Sequence, residues 1–273
     1  MLENLLNKRQ YSSNARTMST DFFVNVYTYM FVALGISGSI AYLSGTSEFN
    51  KYFLDEGKIK GLFYIVALGI SGSIAYMCGT PEFVTEYFVT SEGKISGLFY
   101  VVAFAPVGLG LLIQMAYNRL SLMTLFVLFG LYAALMGLSL STIFLVYSIA
   151  SIVTTFFVAA GAFAGMAILG YTTKTDLTKF GSMLYMLFIG IFIAGIVNIF
   201  MKSDTMDFII SIIGVFVFTG LTAYQMQQLK HISEEPGLEN VQRNKLALIG
   251  GLMLYILFIN LFLTLLRLLG NRD

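Results

Sequence analysis

Cysteine and histidine are nearly absent from the chain, with one of each, Cys78 and His231. A single cysteine excludes an intramolecular disulfide, and the two residues together leave no cluster with the spacing of a zinc or haem site. No metal and no cofactor is therefore expected. Charge is scarce as well: Asp, Glu, Lys and Arg make up 11% of the residues and the net charge is +1, so no electrostatic footprint for nucleic acid exists. The first 21 residues, MLENLLNKRQYSSNARTMSTD, lack the short apolar core and cleavage site of a secretory signal, and they read as a polar tail that stays on the protein.

Apolar residues fill the rest. At 57% hydrophobic residues and a mean hydropathy of +0.80, a water-soluble fold of 273 residues has more apolar surface than it can hide. The composition predicts an all-α, multi-pass integral membrane protein, with residues 22–273 forming one transmembrane helical-bundle domain and no soluble enzyme attached.

Uncharged runs broken by charge, Gly and Asn predict eight helices: Phe22–Leu43, Gly61–Cys78, Gly97–Tyr117, a fourth opening at Asn118–Ser121 and reaching Tyr147, Ile152–Tyr171, Phe180–Met201, Phe208–Leu229 and Leu246–Leu269. No Asp or Glu lies inside any of them. Gly161 and Gly165 form a GxxxG pair of the kind that lets helix backbones approach. Tyr117 and Tyr171, near run ends, suit interfacial anchors. The hydrophilic stretch KHISEEPGLENVQRNK reads as a loop.

A tandem repeat marks the amino-terminal third. ALGISGSIAYLSGTSEFNKYFLDEGKIKGLFYIV, residues 33–66, returns as ALGISGSIAYMCGTPEFVTEYFVTSEGKISGLFYVV, residues 67–102. Near-identity indicates duplication of one segment, which creates the hybrid run Gly61–Cys78. An extra span reverses the side of everything before it. With seven spans, Lys8, Arg9 and Arg16 of the tail join Arg119, Lys174, Lys179, Lys230, Arg243 and Lys245 on one side; with eight, Lys51, Lys58 and Lys60 take their place. Three charges trade for three, so the positive-inside rule leaves both counts open, and a spanning eighth helix is the expectation.

From Leu111 to the end, the chain resembles the bacterial branch of the Bax inhibitor 1 family of multi-pass membrane proteins. The resemblance is carried by LYAALMGLSLSTIFLVYS, GYTTKTDLTKFGSMLYMLFIGI, VNIF and LYILFINLFLTLLRLLG. It implies a bundle of seven helices with the last one central, a bacterial plasma (inner) membrane location and, for some members, a pH-responsive calcium leak. In those members two aspartates on the last two helices interact with an arginine at the end of an earlier one. Two close carboxylates share a proton, so titration loosens a helix contact. Arg119 matches the arginine. The tyrosine–aspartate motif appears as Tyr224-Gln225-Met226-Gln227, with Gln225 in place of the first aspartate, and LYILFINLF puts Leu257 in place of the second, with Asn260 following. Neither replacement ionises, so the shared-proton latch is lost.

Other chemistry finds less support. Gly35-Ile36-Ser37-Gly38 and Gly69-Ile70-Ser71-Gly72 match the nucleophile motif of rhomboid-type proteases, yet a serine nucleophile needs a base, and His231 lies outside the apolar runs. The loop acids Asp55-Glu56, Glu82/Glu86/Glu92 and Glu234/Glu235/Glu239 follow no calcium-loop pattern. Asn198, Asn260, Gln225 and Gln227 are polar groups within apolar runs, suited either to interhelical hydrogen bonds or to a neutral polar core. Three roles follow: a cation leak, a regulatory protein that binds a membrane-anchored ATP-dependent protease, and a small-solute transporter, the last with little support.

Overall fold

The computed structural model describes residues 20–32, 34–35, 97–140, 143, 146–235 and 240–271. The hybrid run 61–78 and nearly all of the tandem repeat lie outside these residues. Seven helices are described: α1 at 20–32, α2 Gly97–Ala116, α3 Leu122–Leu140, α4 Ile149–Thr172, α5 Thr178–Met201, α6 Asp204–Glu234 and α7 Asn240–Leu269. The protein is an all-α membrane protein. Helices α4 to α7 are each long and apolar enough to cross a bilayer; 24 residues at about 1.5 Å each match a hydrocarbon core roughly 30 Å thick.

The helices outrun their apolar stretches because hydrogen bonding, rather than hydrophobicity, decides where a helix ends. α6 begins at Asp204, where the Ser203 hydroxyl accepts the Met206 N–H at 3.3 Å and Asp204 and Asp207 occupy the positively polarised first turn. At its other end it runs through Lys230, His231 and Ser233 to Glu234, so much of the stretch expected to be a loop is helical. α7 likewise starts at Asn240. The opposite error occurs in α3, which ends at Leu140, seven residues before the expected Tyr147. Val146 and Tyr147 donate to the Ile143 carbonyl in a turn, inside a run whose hydrophobicity has no break.

The chain divides into two compact units. In the unit spanning residues 31–148, α2 packs on α3, and Ser121 opens α3 by accepting the Thr124 N–H at 3.1 Å. The other unit contains residues 1–30 and 149–271. There α6 packs against α4, α5 and α7, and α4 also packs against α7 through Phe156 and Phe163, whose rings meet Phe258 edge-on at 5.4 and 5.5 Å. Burial follows this order: 61% of the apolar window of α7 is buried, 50% of α6 and only 6% of α5, which presents most of its surface outward.

Close helix approach falls at glycines other than the expected ones. Nothing lies within 4 Å of where a Cβ would stand on Gly161 or Gly165, whereas a Cβ on Gly170 of α4 would collide with the Ala223 backbone of α6. On Gly251 of α7 it would stand 2.9 Å from the Val26 carbonyl oxygen of α1.

The direction of α1 follows from its contacts. Phe23 stacks edge-on at 5.3 Å against Tyr171 in the last turn of α4, Asn25 lies 3.5 Å from Asn244 near the start of α7, and Val26, Tyr29 and Met30 flank Gly251 two turns further along. Helix α1 therefore runs alongside α7 in the same sense and begins at the end that carries the α4–α5 turn and the start of α7. That end bears Lys174, Lys179, Lys230, Arg243 and Lys245, against Lys202 and Arg267 at the other. The positive-inside rule assigns it to the cytoplasm.

Candidate functional site

The expected site residues divide between the two units. Arg119 belongs to the turn after α2, where its N–H donates to the Ala116 carbonyl at 2.9 Å. Tyr224, Gln225 and Gln227 sit on α6, and Leu257 and Asn260 on α7. Helices α6 and α7 are antiparallel neighbours: Gly214 faces Thr264, Leu229 faces Gly250, and at the far end the Asp207 carboxylate lies 3.7 Å from the Arg267 guanidinium. The two helices that carry Gln225 and Leu257 thus form one seam.

The polar side chains along and beside that seam are satisfied unequally. Gln227, 3% exposed, is a clamp: its Oε1 accepts the Leu177 N–H at 2.8 Å and its Nε2 donates to the Thr175 carbonyl at 2.7 Å, so one carboxamide closes the α4–α5 turn. Lys230, one turn on, donates to the Tyr171 carbonyl at 3.0 Å and lies 5.1 Å from that ring's centre, placing its charge on the carbonyl end of α4. Gln225 is 7% exposed and makes no hydrogen bond among the described residues. Tyr224 packs edge-on against Tyr185 at 6.0 Å, with Gly181 leaving room for its ring. Leu257 is buried and apolar.

Several other polar groups bond to their own helices. Asn260 Nδ2 donates to the Ile256 carbonyl at 2.8 Å, Thr264 donates to the Asn260 and Leu261 carbonyls, each at 2.9 Å, and Thr222 donates to the Phe218 carbonyl at 2.7 Å. Asn198 accepts the Ser203 N–H at 3.1 Å and so shapes the α5–α6 turn. The seam is uncharged between its ends. Among the described residues no cluster of metal-ligating side chains occurs.

At the cytoplasmic end Asp176 accepts the Thr178 N–H at 2.9 Å at the start of α5. Hydrogen bonding from the Thr178 side chain and backbone, aided by the positive field of His231 and Lys179, holds its carboxyl below the usual carboxylate range.

Comparison with known proteins decides the family. The family model described as inhibitor of apoptosis-promoting Bax1 matches residues 19–273, and so takes in the amino-terminal third as well. The chain belongs to the Bax inhibitor 1 family. Its similarity to the inner membrane protein YbhL of Escherichia coli strain K12 is 47% identity over 169 residues, 62% of this chain and 72% of the relative. A protein of Borreliella burgdorferi is 49% identical over 165 residues, 60% and 71% of the two chains. A membrane protein of Streptococcus pyogenes is 34% identical over 146 residues, 54% and 63%. With four helices able to cross a bilayer, this family member is an integral protein of the bacterial inner membrane.

The Gln227 clamp, the Lys230 cap and the Asp207–Arg267 pair were not anticipated. A signal existed for α6 alone: Ser203 followed by Asp204 and Asp207 is a helix-start pattern.

Proposed function

We propose that the protein is a passive cation leak, calcium among the ions it passes, whose flux is weak and independent of pH. The supporting observation is the seam itself. Two buried antiparallel helices carry Gln225 and Leu257 where conducting relatives carry aspartates, and the Gln225 carboxamide has no partner among the described residues. A neutral carboxamide within a bilayer offers a donor and an acceptor to a passing polar species. A neutral lining attracts a divalent cation far less than a carboxylate pair does, hence weak flux; with nothing to titrate, the flux stays level with pH. Calcium uptake into liposomes containing the purified protein tests this. A small flux, unchanged across the range where carboxylate pairs titrate, is expected; no flux above empty liposomes at any pH would overturn it.

The tail favours a second reading, also non-enzymatic. Because α1 begins at the basic end, which the positive-inside rule assigns to the cytoplasm, a membrane-anchored ATP-dependent protease whose catalytic part lies on that side could meet the segment that precedes it. Cross-linking from the tail to such a protease, lost when residues 1–19 are removed, would support it.

A further inference from the structure

At the end of the α6–α7 seam opposite the cytoplasmic turns, three observations converge. Asp207 in the first turn of α6 and Arg267 in the last turn of α7 lie 3.7 Å apart, with side chains 30% and 44% exposed. One turn further into α6, Ser211 is fully buried, at 0% exposure, and its hydroxyl has no hydrogen-bond partner among the described residues. Another turn inward, Gly214 faces Thr264 of α7. Positions 207, 211 and 214 follow helical spacing, so all three lie on the face of α6 turned to α7.

We propose that the Asp207–Arg267 pair is a charge latch that closes the seam over a buried polar site at Ser211. A hydroxyl normally bonds to its own helix in such a place, as Thr222 and Thr264 do. Ser211 instead has no hydrogen-bond partner among the described residues, one turn below the Asp207–Arg267 ion pair. When the pair separates, water or a hydrated cation from the extracytoplasmic side reaches the hydroxyl. The latch joins the same two helices that a shared proton joins in conducting relatives, but it does so at their ends and with charge. It operates whether or not the seam passes ions.

The test reads water access and needs no flux. In the full chain with Cys78→Ala, Ser211→Cys is reacted with a membrane-impermeant maleimide added from the extracytoplasmic side, and the rate is compared with Asp207→Asn, with Arg267→Gln and with the swapped pair Asp207→Arg/Arg267→Asp. An exposed pair is worth a modest free energy, so each neutralisation is expected to raise the labelling rate roughly two- to fivefold, and the swap to return it towards the parent. Rates unchanged by neutralisation, fast labelling with the pair intact, or a swap that labels as fast as the neutralised variants would each overturn the latch. Thr264→Cys, on the facing helix, provides the same reading if Ser211→Cys impairs folding.

Discussion

Gln225 and Gln227 stand two residues apart on α6, and the structure assigns them unequal energetic roles. Gln227→Leu removes two hydrogen bonds, to the Leu177 N–H at 2.8 Å and from Nε2 to the Thr175 carbonyl at 2.7 Å. Each is worth about 0.5–1.5 kcal/mol net. Thr175 is exposed and Leu177 half-buried, so water partly replaces the lost partners and holds the total to about 1–2 kcal/mol. For a chain of this size that is a fall of roughly 2–8 °C in unfolding temperature. Gln225→Leu removes an amide that makes no hydrogen bond among the described residues, and the change is expected to be close to neutral, within about 0.5 kcal/mol. Thermal unfolding in detergent reads both, and trypsin adds a local probe, because Lys174 and Lys179 flank the turn that Gln227 holds. Gln227→Leu should be nicked there faster than the parent and Gln225→Leu should not. Equal losses from the two substitutions, or a larger loss from Gln225→Leu, would refute the assignment.

Gly170→Ala drives a methyl group into the Ala223 backbone and is expected to cost several kcal/mol, on the order of the largest core effects, visible as loss of monodisperse protein; Gly161→Ala, with open space around it, is expected to be silent. Asp176 titrates below an ordinary carboxylate, so its contribution to stability is present above the ordinary value and is lost as the pH falls through the lowered one. Asp176→Asn should therefore lower thermal stability slightly near neutrality, with the gap to the parent closing as the pH falls through the lowered value, and a parent and variant that lose stability in parallel on acidification would contradict this. Reporters fused at the amino terminus and inserted in the α4–α5 turn should fall on the same face of the membrane; opposite faces would contradict the direction of α1.

The class of fold was legible because the bilayer requires it: long uncharged runs between charged turns permit little else, and α4, α5 and α7 cover the runs that composition alone marks out. Helix ends were less legible. Hydropathy reports the solvent a segment prefers, whereas ends depend on capping, so the Ser203 cap lengthened α6 and an unbroken apolar run hid the end of α3. Glycine contacts were least legible: GxxxG spacing at Gly161 and Gly165 describes one helix surface, while the close approach at Gly170 depends on where α6 crosses it. At the site, the uncharged character of positions 225 and 257 was readable from Gln225 and Leu257. That Gln227 clamps a turn fifty residues earlier was not, because nothing local in α6 indicates it.

The central claim, that this member of the Bax inhibitor 1 family works without a titrating carboxylate pair, is tested most directly by restoring one. Calcium flux is measured across pH in liposomes holding either the natural chain or the Gln225→Asp/Leu257→Asp variant. A level profile for the natural chain and a new pH-dependent one for the variant are predicted. A natural chain whose flux already changes steeply with pH would contradict the account.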